Sequence, residues 1–165
     1  MKLARTRVQP DNSPVHSLIS VHGNAAEPEY PNRIEEVARK GWGTTFWGRD
    51  STTNWFHIPF TTAGLLGDAT PKLARVYLFF HNTSRSPILS VHLYDGAKLI
   101  KTFDKLGIFG EHAAKPDGFN TFRLDKPVAL KQGLGVSVNV AFPADAAEKP
   151  PRWILFTSAM AEFRA

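Results

Sequence analysis

The stretch that decides the fold is GWGTTFWG at residues 41–48, followed by NWFHIPF at residues 54–60. Three of the four tryptophans and three of the twelve phenylalanines lie within these two segments. Aromatic and β-branched side chains between glycines favour extended chain, because they fit a pleated, half-buried surface. The two segments therefore predict β-strands that build a core, and no helix is expected to pass through them.

Alternation of apolar and polar residues extends this prediction to about eight strands. They are expected at residues 15–21, 55–60, 72–81, 89–94, 98–103, 119–124, 133–142 and 153–163. Turn signals recur at roughly 8–12-residue spacing, which is typical of an all-β sandwich or jelly roll. We predict an all-β fold: a single antiparallel β-sandwich, jelly-roll-like, with an extended N-terminal arm.

Two local segments leave their structure open. Residues 33–40, RIEEVARK, have the spacing of a short helix, but their alternation also fits an edge strand, which we favour because β-pattern follows immediately. Residues 82–87 are rich in turn formers. If they join a hairpin, His92 lies opposite Tyr77 on the neighbouring strand.

The first 40 residues are polar, proline-punctuated and poor in core residues. We predict one domain overall, with an N-terminal arm and the first strand or strands at residues 1–40 and the sandwich core at residues 41–165. The basic residues Lys2, Arg5 and Arg7 supply much of the net charge of +5. Since the rest of the chain is close to neutral, the charge argues against a nucleic-acid partner. A frayed, solvated terminus explains the same residues.

Composition excludes several classes of protein. The chain has no cysteine, which rules out a disulfide scaffold, a thiolate metal site and a cysteine nucleophile. The N-terminus lacks the apolar region of a secretory signal, and no apolar run approaches the roughly 20 residues that cross a bilayer. We expect a cytoplasmic protein without a membrane segment.

No motif in the chain names an enzymatic reaction. There is no G-x-S-x-G, no H-E-x-x-H and no phosphate-binding glycine loop, and the six histidines lack metal-ligand spacing. We therefore predict no catalytic residue, no metal and no cofactor. A hydrolase with a site carried by a loop is the least favoured function.

The aromatic segments allow two interpretations. As a ligand site, they form a platform that stacks on a sugar ring and hydrogen-bonds its hydroxyls, since a sugar ring has apolar faces and a polar rim. The residues of this site are Trp42, Trp47, Asp50, Asn54, Trp55 and His57. As core or subunit interface, where aromatic residues are enriched, the contact residues are Lys2, Arg5, Arg7, Tyr30, Trp42, Trp47 and Trp55.

These interpretations correspond to two functions. The leading prediction is a non-catalytic, self-assembling homo-oligomer that acts as a structural or interaction module, with the arm as a contact between subunits. A sandwich leaves unpaired strand edges that must be covered, charged or paired, which favours such an assembly. The alternative is a carbohydrate-binding module that uses exposed tryptophans, with a glycan as partner.

Four segments carry a resemblance to a known family. They are GWGTTF at 41–46, NWFHIP at 54–59, VHLYDG at 91–96 and GLGVSV at 133–138, and the closing LFT at 155–157 continues the pattern. On these segments the chain resembles a family of uncharacterised bacterial β-sandwich proteins of about this length. The resemblance covers roughly residues 40–163 and implies a β-sandwich, and it transfers no active site.

Overall fold

The structure is a computed structural model, and it describes residues 15–62, 70–144 and 151–164. These residues form an antiparallel β-sandwich of jelly-roll type, which confirms the predicted fold class. Sheet A contains β1 (Val15–His22), β3 (Ile34–Lys40), β4 (Gly43–Gly48), β6 (Lys72–Asn82), β9 (Gly110–Glu111), β10 (Thr121–Ala129) and β12 (Trp153–Arg164). Sheet B contains β2 (Glu27–Pro28), β5 (Thr52–Pro59), β7 (Ile88–Asp95), β8 (Lys98–Phe103) and β11 (Leu134–Phe142). Two short 3-10 turns lie at Gly23–Ala25 and Pro31–Arg33.

The strand count of about eight was wrong, because the described residues contain twelve strands. The two shortest, β2 and β9, have two residues each and pair with β5 and β6. Alternation over so few residues gives no signal, so their extended form is set by the neighbouring strand. Residues 34–40 form the edge strand β3 of sheet A, as the favoured interpretation predicted.

The segment at residues 82–87 does not join a hairpin. It connects β6 in sheet A to β7 in sheet B, so His92 lies opposite Ser137 and Thr102 and not opposite Tyr77. In the turn between β7 and β8, Asp95 pairs with Lys98, which leaves Gly96 and Ala97 as the turn residues. Gly96 has a φ of 57°, the left-handed conformation that this turn requires.

The long strand β12 organises sheet A. It pairs with β6 along one side, while β1 and β4 share the other side. The register of β12 shifts between Phe156 and Ser158, close to the point where β1 gives way to β4. At this point the chain approaches β12 so closely that a Cβ on Gly23 would lie 1.9 Å from the Phe156 carbonyl oxygen.

The core lies between the two sheets and is dominated by phenylalanine rings. Phe46 and Phe156 from sheet A meet Phe56 and Phe142 from sheet B, with ring centroids 4.8–6.4 Å apart. All four side chains are fully buried. Strand β11 shows the rule that selects core residues, because its side chains alternate between the core and the outer face of sheet B.

Asp95 fixes the end of sheet B next to the β10–β11 connection. Its carboxylate accepts hydrogen bonds from the backbone N–H groups of Lys131, Gln132 and Gly133 at 2.9, 2.7 and 3.0 Å. These bonds, led by that of Gln132, hold the pKa of Asp95 below its ordinary value. The β7–β8 turn and the start of β11 are thereby tied together beside Gly135.

Candidate ligand-binding face

The outer face of sheet B gathers aromatic and hydrogen-bonding side chains from its three central strands. Register places Pro59, Gly135 and Tyr94 in one row, since each pairs with its neighbour across β5, β11 and β7. The next rows along the strands are His57–Ser137–His92 and Trp55–Asn139–Ser90. Residues two apart on a strand share a face, so all three rows point away from the core. We refer to this surface as the outer face of sheet B.

Trp55 and His92 form the first aromatic element of this face. They lie on β5 and β7, the two strands that flank β11, and their ring centroids are only 4.7 Å apart. The two rings therefore lean towards each other above β11. This cover accounts for the burial of Asn139 Oδ1 on the outer face of β11, which has no hydrogen-bond partner among the described residues. The half-buried Trp55 keeps part of its indole exposed.

Asp104 fixes the orientation of His92. Its Oδ1 lies 3.0 Å from His92 Nε2. Hydrogen bonds from His92, Ser90 and Thr102 lower the pKa of Asp104 from its ordinary value. The carboxylate thus stays ionised at neutral pH. Its contact with Nε2 fixes the orientation of the His92 imidazole that packs on Trp55.

His57 occupies the middle row and is held at both ring nitrogens. Its Nδ1 lies 2.9 Å from Ser137 Oγ, and its Nε2 lies 2.9 Å from Glu29 Oε2. A hydrogen bond from Tyr30, with further contributions from His57 and Arg33, lowers the pKa of Glu29. The side chain of His57 is 46% exposed, so a fixed polar ring stands at the surface.

The chain Glu29–His57–Ser137 has the order carboxylate, imidazole, hydroxyl of a nucleophilic triad. A nucleophile of that kind also needs donors for the oxyanion that forms during attack. Ser137 lies in the middle of β11, which pairs with β5 on one side and β7 on the other, so the neighbouring backbone N–H groups are engaged in the sheet. The arrangement is therefore suited to positioning His57 rather than to activating Ser137.

A pocket of 370 Å³ opens between His57 and Tyr94. Gly135 forms its floor, with Pro59 and Tyr94 as apolar walls, while Ser137 and Glu27 contribute polar groups. The pocket exists because Gly135 carries no side chain between its two neighbours. A Cβ there would lie 3.8 Å from Tyr94 Cβ, an ordinary contact distance, and Gly135 has no positive φ.

The structure separates the residues predicted as one ligand site. Trp55 and His57 lie on the outer face of sheet B, whereas Trp47 lies on the outer face of sheet A, where it pairs with Trp153. Trp42 sits in the β3–β4 turn and is 64% exposed. Each of these tryptophans therefore belongs to a different surface.

Two of the three polar residues of that predicted site, Asn54 and Asp50, have structural contacts away from the outer face of sheet B. Asn54 is fully buried, and its side chain hydrogen-bonds both the N–H and the carbonyl of Tyr30 at 3.0 and 2.8 Å. It thereby ties the loop before β3 to β5. Asp50 lies beside Arg152, with Oδ1 3.6 Å from Nη1.

Of the residues predicted at a subunit interface, Tyr30 is 37% exposed and packs against the guanidinium of Arg33 at 4.0 Å. Lys2, Arg5 and Arg7 lie outside the described residues. Residues 15–40 supply β1, β2 and β3 to the two sheets of the same chain. This part of the predicted arm is therefore paired within the chain.

Sequence reasoning did not select Tyr94, His92, Ser137 or Gly135 for the site. Tyr94 and Gly135 appeared only within the strands predicted at residues 89–94 and 133–142 and the family segments that overlap them, and His92 was considered only as a hairpin partner of Tyr77. The available signal was the alternation itself, but it does not reveal that β5 and β7 flank β11. Within residues 15–62, 70–144 and 151–164, no three His, Asp or Glu side chains gather as metal ligands.

Comparison with known proteins gives the family of this chain. A family model described as a family of unknown function, DUF6623, matches residues 14–154. The chain belongs to this family. The match confirms the resemblance to an uncharacterised β-sandwich family, although the individual motif segments stay untested. None of the curated proteins compared with this chain matches it.

Three solved structures are similar to this chain at low identity. The family 61 carbohydrate-binding module TmCBM61, in complex with β-1,4-galactotriose, has 12% identity and a TM-score of 0.43, with 92% of this chain and 90% of that chain covered. The C-terminal family 6 module of LamC, a marine laminarinase from Zobellia galactanivorans, has 9% identity and a TM-score of 0.42, with 87% and 98% covered. An exo-β-1,3-galactanase from Phanerochaete chrysosporium, solved with galactose, has 12% identity and a TM-score of 0.40. The match covers 88% of this chain and 29% of the galactanase.

No helix in the described part of the chain is long and apolar enough to cross a membrane.

Proposed function

We propose that this protein is a non-catalytic carbohydrate-binding module, and that the outer face of sheet B is its binding surface. The observation that carries the proposal is the pocket over Gly135, which is lined by the half-buried ring of Tyr94 and by the fixed imidazole of His57. Among the functions predicted from the sequence, a pocket among the described residues supports this one.

The chemistry of the face matches that of a sugar ring. A pyranose presents C–H groups on its faces, which pack on aromatic and proline rings, and hydroxyls on its rim, which need donors and acceptors. Tyr94 and Pro59 supply the apolar contact, and His57 and Ser137 stand at the rim of the pocket. Because Glu29 and Ser137 hold His57 in place, little side-chain entropy is lost when a ligand binds.

The test fills the pocket without disturbing the sheet. In Gly135→Val, the new side chain occupies the space of a ligand beside Tyr94, while valine fits a β-strand well. We expect glycan affinity to fall at least about tenfold, which corresponds to about 1.4 kcal/mol. The measurement is a glycan-array screen of the unmodified protein, followed by calorimetric titration of its best ligand into both proteins.

Ala141→Val is the matched control, because Ala141 lies on the same strand and face but six residues from Gly135. It should bind as the unmodified protein does. If the array shows no glycan binding, or if Gly135→Val binds as tightly as Ala141→Val, the proposed surface is wrong.

Self-association is a second candidate, and one feature of the edge of sheet A favours it. The edge strand β3 carries Val37, 41% exposed, and leads into the turn with Trp42, 64% exposed. Exposed apolar side chains beside an unpaired strand edge favour pairing with a second copy. The same strand carries charged residues such as Glu36, and charged side chains on an edge strand oppose pairing with another chain.

The native mass of the protein shows whether the exposed apolar residues of β3 pair with a second copy or whether its charged residues prevent such pairing. If β3 is an interface, size-exclusion chromatography with light scattering will give a mass above 18.3 kDa, and Trp42→Ala will lower it. Trp47→Ala, on the outer face of sheet A, is the control. A monomer at all concentrations would contradict assembly and leave the glycan proposal untouched.

A further inference from the structure

The outer face of sheet B has two separate aromatic contact points, and their spacing bears on the kind of glycan that fits. The first is the pocket between His57 and Tyr94. The second is the Trp55–His92 pair. On β11, Gly135 marks the row of Tyr94 and Asn139 the row of Trp55, four residues further along, while His57 and His92 both lie in the row between them. At about 3.4 Å per residue, the rows of Tyr94 and Trp55 lie about 14 Å apart.

Between the rows of Tyr94 and Trp55 the face is polar. This middle row consists of His57, Ser137 and His92, and the Ser137 hydroxyl is already bonded to His57. A single sugar ring stacked on Tyr94 leaves Trp55 unoccupied, because the roughly 14 Å between their rows exceeds the length of one pyranose. A chain of several rings covers both points and passes the exposed edge of His57 between them.

The charge of the face favours a neutral chain. Glu29 lies against His57 and Asp104 against His92, so a carboxylate stands near each contact point. Glu27, which lines the pocket, is paired with Arg39. The lowered pKa values of Glu29 and Asp104 keep these two groups ionised at neutral pH. Uronic or sulfated sugars would be repelled by them.

On the strength of the proposed function, we propose that the outer face of sheet B binds the internal part of a neutral oligosaccharide, held at once by the Tyr94 pocket and the Trp55–His92 pair. Each contact alone captures one ring weakly. Together they act as linked sites, because a ligand bound at one point presents its next rings to the other.

The experiment is a series of calorimetric titrations with oligosaccharide ladders of one to six residues, built from glucose, galactose, mannose or xylose. For the ladder that binds, affinity should rise at least about tenfold from the monosaccharide to the length that spans both points, and then level off. The matching acidic oligosaccharide should bind at least about tenfold more weakly than the neutral one.

Two variants remove one contact each. Trp55→Ala and Tyr94→Ala should both bring the affinity for the longest oligosaccharide down to that of a short one, which abolishes the dependence on length. Ala141→Val should keep it. Circular dichroism verifies that each variant is folded, so that a change in binding is not a loss of structure.

The outcomes separate this inference from the proposed function. If a monosaccharide binds as tightly as a hexasaccharide, or if either variant keeps the full dependence on length, two-point binding is overturned while glycan binding stands. If acidic and neutral ladders bind equally, the preference for a neutral ligand is wrong. If no ladder binds, the proposed function and this inference are both wrong.

Discussion

Phe56→Ala is expected to lower the free energy of unfolding by about 3–5 kcal/mol, the largest effect of any single truncation considered for this protein. Phe56 is fully buried where the two sheets meet. Its ring lies 4.8 Å from Phe46, 5.4 Å from Phe156 and 6.4 Å from Phe142, measured between ring centroids. Removing it leaves a cavity among rings that belong to both sheets and cannot all move inwards.

The measurement is chemical denaturation followed by tryptophan fluorescence and circular dichroism. Trp55→Ala is the matched control, since Trp55 precedes Phe56 on β5 but points to the outer face of sheet B. We expect Trp55→Ala to cost less than about 1.5 kcal/mol, because a surface ring loses fewer contacts. Equal losses for the two variants would contradict the assignment of inner and outer faces on β5.

Gly23→Ala is expected to destabilise the protein by about 3 kcal/mol or to prevent folding. A Cβ at this position would lie 1.9 Å from the carbonyl oxygen of Phe156 and 2.5 Å from its carbonyl carbon. These are backbone atoms of β12, which is held by β6 on one side and by β1 and β4 on the other. No rotamer change relieves the contact, so one of these pairings has to shift.

Gly41→Ala is the control for this substitution. A Cβ on Gly41 meets no heavy atom within 4 Å, and Gly41 has no positive φ. Its effect on the free energy of unfolding should stay within about 0.5 kcal/mol. Comparable stability of the two variants, from denaturation curves recorded side by side, would show that residue 23 does not pack against β12 as described.

The inner and outer faces of single strands follow from alternation that is visible in the sequence. Residues 134–142 alternate between large apolar and small or polar side chains, and the structure buries Leu134, Val136, Val138, Val140 and Phe142. The same reasoning puts Phe56 and Ile58 on one side of their strand and Trp55 and His57 on the other, and the structure buries the first pair. It succeeds because the side-chain period of a strand is two whatever the strand pairs with.

The neighbours of each strand were not visible in the same way. Residues 82–87 have the composition of a hairpin turn, yet they carry the chain from sheet A to sheet B. A hairpin turn and a link between two sheets can have the same composition, and they differ only in which strand the following strand pairs with. That choice depends on contacts between residues far apart in the sequence, such as those of β12 with β6, and a local pattern does not encode it.

In the candidate site, too, the sequence shows which residues share a side of one strand but not which strands lie next to each other. Trp55 and His57 were selected from the sequence as members of an aromatic platform with nearby polar groups. Asn54 is next to Trp55 in the chain, but it points inwards and binds the backbone of Tyr30. Proximity in sequence thus places residues on opposite sides of a strand, and only the register of the sheet shows which residues meet.

By itself, the sequence determined the all-β class, the inward and outward side of most strands, and two residues of the candidate face. These properties depend on local periodicity and composition. The tertiary structure decided that β5 and β7 flank β11, and with it the pairing of Trp55 with His92, the contact of His57 with Ser137 and the pocket over Gly135. The physical reason is that a binding face on a sheet is assembled across strands, by hydrogen-bond register between residues as far apart in the chain as Trp55 and Asn139.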